Sequence, residues 1–388
     1  MSPDRVDPGE LAAWLRLAWT RGIGNITARR LLAAFGLPQA IFEQPLEALR
    51  QVVSAADAAS LQKPPEGFEA RVAVTRQWLE AASFPGERQI VTLGSPGYPQ
   101  ALLDTEDPPL MLYLLGQVPP RWPHAISIVG SRNPTPQGLA NARDFSRSFA
   151  QAGLTVVSGL ALGIDGAAHE GALDGAVGGG PATIAVVGTG LDTVYPKRHA
   201  SLAQRIVQRG LIVSEYPLGT PPLSENFPRR NRIISALGQG TLVVEAALMS
   251  GSLITAKQAA EQGRDVFAIP GSIHSPLSRG CHSLIKQGAK LVECAQDVLE
   301  ELPSTRGSLL ARNASSSTST IAGTSELDGT PTQDGVLESL GHDPVGLDAL
   351  VARTGLAPAQ LQARLLELEL AGEIARLPGG LYQRTAIA

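Results

Sequence analysis

The chain has 388 residues, 43% of them hydrophobic and only 4% aromatic, which is enough apolar material for two to three domains with largely aliphatic cores. A formal net charge of −4 excludes a uniformly basic nucleic-acid-coating chain, although an average of this kind can hide a local basic patch. Two cysteines, Cys281 and Cys294, are too few for a disulfide framework or a cysteine-based zinc site. No apolar run approaches the roughly 18 residues of a membrane span, and the opening MSPDRVDPGE lacks both regions of a secretory signal. A cytoplasmic protein with ordinary thiols is expected.

Residues 10–80 place apolar side chains at three-to-four spacing in ELAAWLRLAWT, ITARRLLAAFGL and VAVTRQWLEAA, which predicts an N-terminal helical domain over 1–83. Between the first two helices, Arg21-Gly22-Ile23-Gly24 has two readings. It is either a helix-hairpin-helix turn whose backbone N–H groups hold a phosphate, or a plain turn that needs glycine for positive φ. From about residue 84, short β-branched runs alternate with helical stretches. AISIVG (125–130), LTVVSG (154–159), TIAVVG (183–188), LIVSEY (211–216), TLVVEA (241–246) and DVFAIPG (265–271) are the predicted strands. Apolar strands alternating with helices predict a doubly wound, mostly parallel, Rossmann-like α/β fold over 84–300. Residues 301–334 are rich in Ser, Thr, Gly, Asn and Pro without a sustained period, the composition of a flexible linker. Residues 335–388 read as three helices and two short strands about Pro378-Gly379-Gly380, the order of a winged-helix-like module.

Open α/β sheets bind ligands beyond the carboxyl ends of their strands. The candidate residues there are Gly130, Ser131 and Arg132 after the first strand, and Ser158 and Gly159 after the second. Lys197 follows the third, Phe227, Arg229, Arg230, Asn231 and Arg232 the fourth, and Gly251 and Ser252 the fifth. Glycines let a ligand approach the backbone, while Ser hydroxyls and N–H groups at helix starts suit phosphate oxygens. Across residues 126–292 there are 15 Lys plus Arg against 10 Asp plus Glu, a net +5, so the acidic average hides a basic centre. FPRRNR is its densest cluster. An aromatic ring beside Arg forks suits single-stranded nucleic acid: rings stack bases at about 1–3 kcal/mol each, and cations follow the backbone. The competing reading is a structural cluster paired with Glu225 and Glu245.

Enzyme signatures are incomplete. No G-x-x-x-x-G-K-[ST] string occurs, and Gly188-Thr189-Gly190 supplies only half of a dinucleotide fingerprint. Asp165, Asp192, Glu215 and Glu245 are carboxylates at strand ends that could approach one another. The six histidines do not fall at metal-ligand spacing, so no cofactor or metal is expected. The C-terminal module has four Arg against six Asp plus Glu over 335–388, and its third helix carries Glu367, Glu369 and Glu373 where a phosphate binder needs cations. A protein-contact or packing role is expected for it.

Six strings in order, AISIVGSRNPTPQG, SGLALGIDGAAH, GTGLDTVYP, SEYPLGTPPLSENFPRRNRII, VVEAALMSGSLITA and GRDVFAIPGSIHSPLSRGCHSLIKQGA, resemble the DNA-processing protein A (DprA, or Smf) family over about residues 84–295. The flanks are similar to the SAM-like or helix-hairpin-helix and winged-helix modules found in that family. The resemblance implies a non-enzymatic recombination mediator that binds single-stranded DNA, protects it during natural transformation or recombination and loads the recombinase RecA. It also implies a homodimer formed through the Rossmann-like domain, with His282, Leu284, Ile285 and Leu291 at the interface. The resemblance carries the family's strand-contacting positions onto Ser131, Arg132, Lys197, Phe227, Arg229, Arg230, Asn231 and Arg232, and Gly251 and Ser252 fit a phosphate contact. Two departures stand out: His199 and His282 occupy positions where the family commonly has Asn. The alternatives from the residues are a nucleotide-processing enzyme on a related fold, suggested by GQGTLVVEA (238–246), and a scaffold that meets only proteins.

Overall fold

The computed structural model describes residues 8–81, 86–302, 335–341 and 344–385. From residue 303 onward, the predicted linker lies outside the described residues. Six helices open the chain: α1 (Pro8–Trp19), α2 (Asn25–Phe35), α3 (Pro38–Phe42), α4 (Leu46–Arg50), α5 (Ala55–Leu61) and α6 (Phe68–Glu80). A nine-stranded sheet follows, built from β1 (Glu87–Thr92), β2 (Met111–Gly116), β3 (Ala125–Val129), β4 (Thr155–Ser158), β5 (Thr183–Val186), β6 (Leu211–Ser214), β7 (Gly240–Val243), β8 (Asp265–Ala268) and β9 (Lys290–Leu291). Its spatial order is β1-β2-β6-β5-β4-β3-β7-β8-β9. All six predicted strands are present, as β3 to β8, and they pair in parallel with one another in the order β6-β5-β4-β3-β7-β8, for example Ile126 with Val156 and Ile128 with Leu242.

Between them run α7 (Gln100–Leu103), α8 (Pro136–Gln151), α9 (Ile164–Gly175), α10 (Ala200–Arg209), α11 (Asn226–Leu237), α12 (Gly251–Glu261), α13 (Arg279–Lys286) and α14 (Ala295–Leu299). Alternate strand residues feed opposite faces. Val129 and Val157 join α11, α12 and α13 in one core, whereas Ile126, Ile128 and Val156 join α8, α9 and α14 in another. Buried on both faces, these strands read as continuous apolar runs. Thr135 starts α8 by accepting the Gly138 N–H at 3.0 Å, with Pro136 preset for the first turn.

Three strands went unnamed in the sequence. β1 and β2 form an antiparallel hairpin, and β2 pairs antiparallel with β6, so this edge opposes the direction of the rest of the sheet. The N-terminal helices join it in one core: Trp14, Leu15, Leu31 and Leu61 cluster with Ile90, Met111 and Tyr113. The Trp78 and Tyr113 rings meet edge to face at 6.1 Å.

The C-terminal residues form α15 (Gly335–Leu340), β10 (Val345–Gly346), α16 (Leu347–Thr354), α17 (Pro358–Leu370), β11 (Ile374–Leu377) and β12 (Leu381–Arg384). The strands make an antiparallel sheet ordered β10-β12-β11. Val336, Leu340, Leu350, Leu361, Leu365, Leu368, Ile374 and Tyr382 fill its own core.

Candidate nucleic-acid interface

A cleft of about 720 Å³ opens beyond β3, between the turn that follows it and the first turns of α11 and α12. Gly130 forms the turn floor. A Cβ there would stand 2.6 Å from Ile164 Cγ1, so no larger residue fits without moving α9. Ser131 is nearly buried and its Oγ accepts the Asn133 N–H at 3.1 Å. Arg132 is exposed, and its guanidinium lies 5.8 Å from the centroid of the Phe227 ring. The Tyr195 and Phe227 rings lie 5.5 Å apart, tilted by 32°. One wall therefore carries a cation and two rings, the combination that accepts a phosphodiester and unpaired bases.

The start of α12 also lines the cleft. Ser250 caps it, accepting the Ser252 N–H at 3.3 Å, and the two hydroxyls lie 2.7 Å apart. Gly251 is exposed, its carbonyl 3.5 Å from Asn231 Nδ2. Peptide N–H groups and the positive helix end favour an anion here. Met249, just before the cap, is 97% exposed at the rim.

The three arginines of FPRRNR separate. They sit on α11, where successive residues turn by about 100°. Arg229 is exposed and has no ion pair among the described residues. Arg230 points inward and is almost fully buried; its Nη1 donates to Gly159 O at 2.6 Å and to Val186 O, and its Nε to Asn231 Oδ1 at 3.1 Å. Burial lowers its pKa to about 10, with Asp165 opposing that shift. Arg232 turns the other way and forks onto Glu215 at 2.6 and 2.8 Å, with Asp107 Oδ2 at 3.1 Å from its Nε. The structural reading of the cluster thus applies to Arg230 and Arg232, but with Asp165, Glu215 and Asp107 in place of Glu225 and Glu245.

Four of the expected ligand-contacting residues make contacts within the protein. The Ser158 hydroxyl is fully buried and donates to Ile128 O at 2.7 Å. Gly159 lies beneath the Arg230 guanidinium, which a Cβ would approach to 2.5 Å. Arg230 lines the cleft only from its floor, and Arg232 is held by its acidic partners outside the cleft. Lys197 is exposed on the short turn Lys197–His199, beyond the cleft lining but two residues from Tyr195. Tyr195 itself was missed. The signal was present: an aromatic residue directly ahead of Pro196, Lys197 and Arg198 at a strand end.

The loop from Gly159 to Gly163 is fixed before any ligand arrives. Asp165 Oδ2 accepts the Gly159 and Ala161 N–H groups at 3.2 and 3.3 Å. Leu160, buried at φ +58°, is held at both ends of its backbone. Its N–H donates to His169 Nε2 at 3.3 Å, and its carbonyl accepts from His199 Nδ1 at 3.0 Å. The Thr183 hydroxyl donates to Val156 O, so it must accept from His169 Nδ1 at 2.7 Å, which fixes the tautomer. Burial, followed by the charges of His199 and Arg230, lowers the His169 pKa to about 3.

The carboxylates at the strand ends do not converge. Asp192 accepts the Gly219 N–H at 2.8 Å, Glu215 pairs with Arg232, and Glu245 accepts the Thr135 N–H and hydroxyl at 2.9 and 2.6 Å. Among the described residues, no three His, Cys, Asp or Glu side chains group as a metal site. At the N-terminal hairpin, Asp57 Oδ1 would lie 2.6 Å from a Cβ on Gly22, which itself has φ +88°. A carboxylate beside the turn opposes phosphate and favours the plain-turn reading. His282, Leu284, Ile285 and Leu291 gather on α13 and β9, at the sheet edge opposite β1. No helix among the described residues is long and apolar enough to cross a membrane.

A family model described as DNA recombination-mediator protein A matches residues 89–303. The chain belongs to this family. A second model, described as the DprA winged helix domain, matches residues 321–380 of this family member. The family's Protein Smf from Synechocystis sp. is 36% identical over 410 residues, covering 97% of this chain and 99% of that one. Protein Smf from Escherichia coli K12 is 43% identical over 311 residues, 78% of each. The X-ray structure of DNA processing protein A from Streptococcus pneumoniae superposes with a TM-score of 0.64 at 36% identity, covering 77% of this chain and 99% of that one.

Proposed function

We propose that the cleft binds single-stranded DNA and that the protein is a cytoplasmic recombination mediator without catalysis of its own. It protects incoming DNA and loads RecA onto it in natural transformation or recombination. The observation that carries the reading is the cluster of Arg132, Phe227 and Tyr195, which lines one cleft together with the α12 N-terminus. The rings offer faces to unpaired bases, and Arg132 with the helix start offers charge to phosphates. A duplex, whose bases are already stacked, gains nothing from the rings. Family membership supports the mediator role, as does the name DNA processing protein DprA carried by a Streptococcus pneumoniae relative that is 48% identical over 204 residues. The protein acts as a homodimer through the edge bearing His282, Leu284, Ile285 and Leu291.

The test is fluorescence anisotropy with labelled oligothymidine and a duplex competitor at two salt concentrations. The expected result is salt-sensitive binding that survives the duplex. Absence of binding at low salt overturns the proposal. RecA loading is read separately, as RecA filament formation on strands already coated with a single-strand-binding protein.

A further inference from the structure

Helix α17 of the winged-helix module carries two apolar stripes. Leu361, Leu365 and Leu368 form one and are buried in the module core. Ala359, Ala363, Leu366 and Leu370 form the other, all exposed, with Leu366 at 56% and Leu370 at 82%. Their spacings of four, three and four confine them to a sector of about 60° on the side away from the core leucines. A single exposed leucine is ordinary, but four aligned apolar positions are the seam of a helix–helix contact. Glu367 and Glu369 flank the seam and oppose a nucleic-acid backbone.

We infer that this seam pairs with the same seam of a second copy of the chain, the two helices running antiparallel about a two-fold axis. Side-chain size favours that occupant. Antiparallel pairing about the midpoint between Arg364 and Leu365 sets Ala359 against the partner's Leu370, and Ala363 against the partner's Leu366. Every leucine then meets an alanine, and the helices keep a constant separation. Charge selects the same orientation. Antiparallel pairing brings Glu367 toward the partner's Gln360 and Glu369 toward the partner's Gln362, amides that can donate to carboxylates. Parallel pairing would bring Glu367 beside the partner's Glu369 on both flanks and set leucine on leucine at one end only. The contact is isologous, as a two-fold axis requires. It is separate from the β9 edge and from the cleft, so its failure would leave the strand-binding proposal intact.

The test uses the full chain carrying Cys294→Ser, since Cys281 is buried. Ala359→Cys and Leu370→Cys are made separately and oxidised alone and as a mixture. The inference expects a disulfide-linked dimer only in the mixture, because in either variant alone the paired cysteines stand about 16 Å apart along the helix. No cross-link in the mixture, or equal cross-linking of each variant alone, overturns it. As a second measurement, Leu366→Glu, at an exposed position, is added to both cysteine variants and abolishes the cross-link in the mixture. A cross-link that forms undiminished overturns the inference.

Discussion

The Arg132 guanidinium stands 5.8 Å from the centroid of the Phe227 ring, on the open side of the turn after β3. The ring holds the cation at the mouth of the cleft without neutralising it. Arg132→Ala is therefore expected to weaken single-strand binding and to reduce the slope of log affinity against log salt by about 0.7, the share of one phosphate contact on a single strand. Arg132→Lys keeps most of the slope and loses part of the affinity, because an ammonium cannot lie flat on the ring. Anisotropy titrations at several salt concentrations separate the two effects. An unchanged slope for the alanine variant removes Arg132 from the interface.

Tyr195 and Phe227 contribute stacking rather than charge. Tyr195→Ala or Phe227→Ala should each cost about 1–3 kcal/mol of single-strand affinity while leaving the salt slope as it was. The double variant should fall short of the sum, since the rings touch each other and share a site. Fully additive losses would mean that the rings act on separate bases.

The arginines of FPRRNR are expected to divide by stability rather than by binding. Arg230→Ala strips the Gly159 and Val186 carbonyls of a donor and leaves Asp165 buried without its neighbouring cation. A loss of about 3–5 kcal/mol is expected in chemical denaturation. Arg229→Ala should stay within about 0.5 kcal/mol, as surface substitutions do. Equal stability of the two variants would contradict the inward placement of Arg230.

That division shows where the sequence could be read and where it could not. The six parallel strands were legible because burial on both faces makes each one a continuous apolar run. β1 was not, since its edge-strand sequence ERQIVT has only two apolar residues, Ile90 and Val91. β2 was not, since MLYLLG follows a proline-rich lead-in and runs against the direction of the strands that were recognised. The cleft at the strand ends was legible as a candidate site through strand-end glycines and basic residues. The orientation of its side chains was not, because FPRRNR was read as a string and not as a helix. On α11, Arg230 shares the inward stripe of Ile233, Ile234 and Leu237, a period that marks it as internal. Nothing in the sequence joins Arg232 to Asp107, 125 residues earlier.

His169 should make stability depend on pH. Its folded pKa is about 3, against about 6.5 when unfolded. The unfolded chain therefore binds more protons between these values. Stability from the neutral ring is fully present above about pH 6.5 and falls as pH drops toward 3, by up to about 1.4 kcal/mol per unit. Urea denaturation at pH 7, 5 and 4 should show the parent losing this increment and His169→Gln lacking it. Parallel curves for the two proteins would show that the ring does not titrate on unfolding.

Leu160 adopts a conformation that costs an ordinary L-residue about 1–2 kcal/mol, and His169, His199 and the residues around Asp165 hold it there. Folding itself meets that cost, so the floor of the cleft is already in place when a strand arrives. Capture should then proceed in one kinetic step whose rate rises linearly with DNA concentration and is set by diffusion and ionic strength, with no slower rearrangement following it.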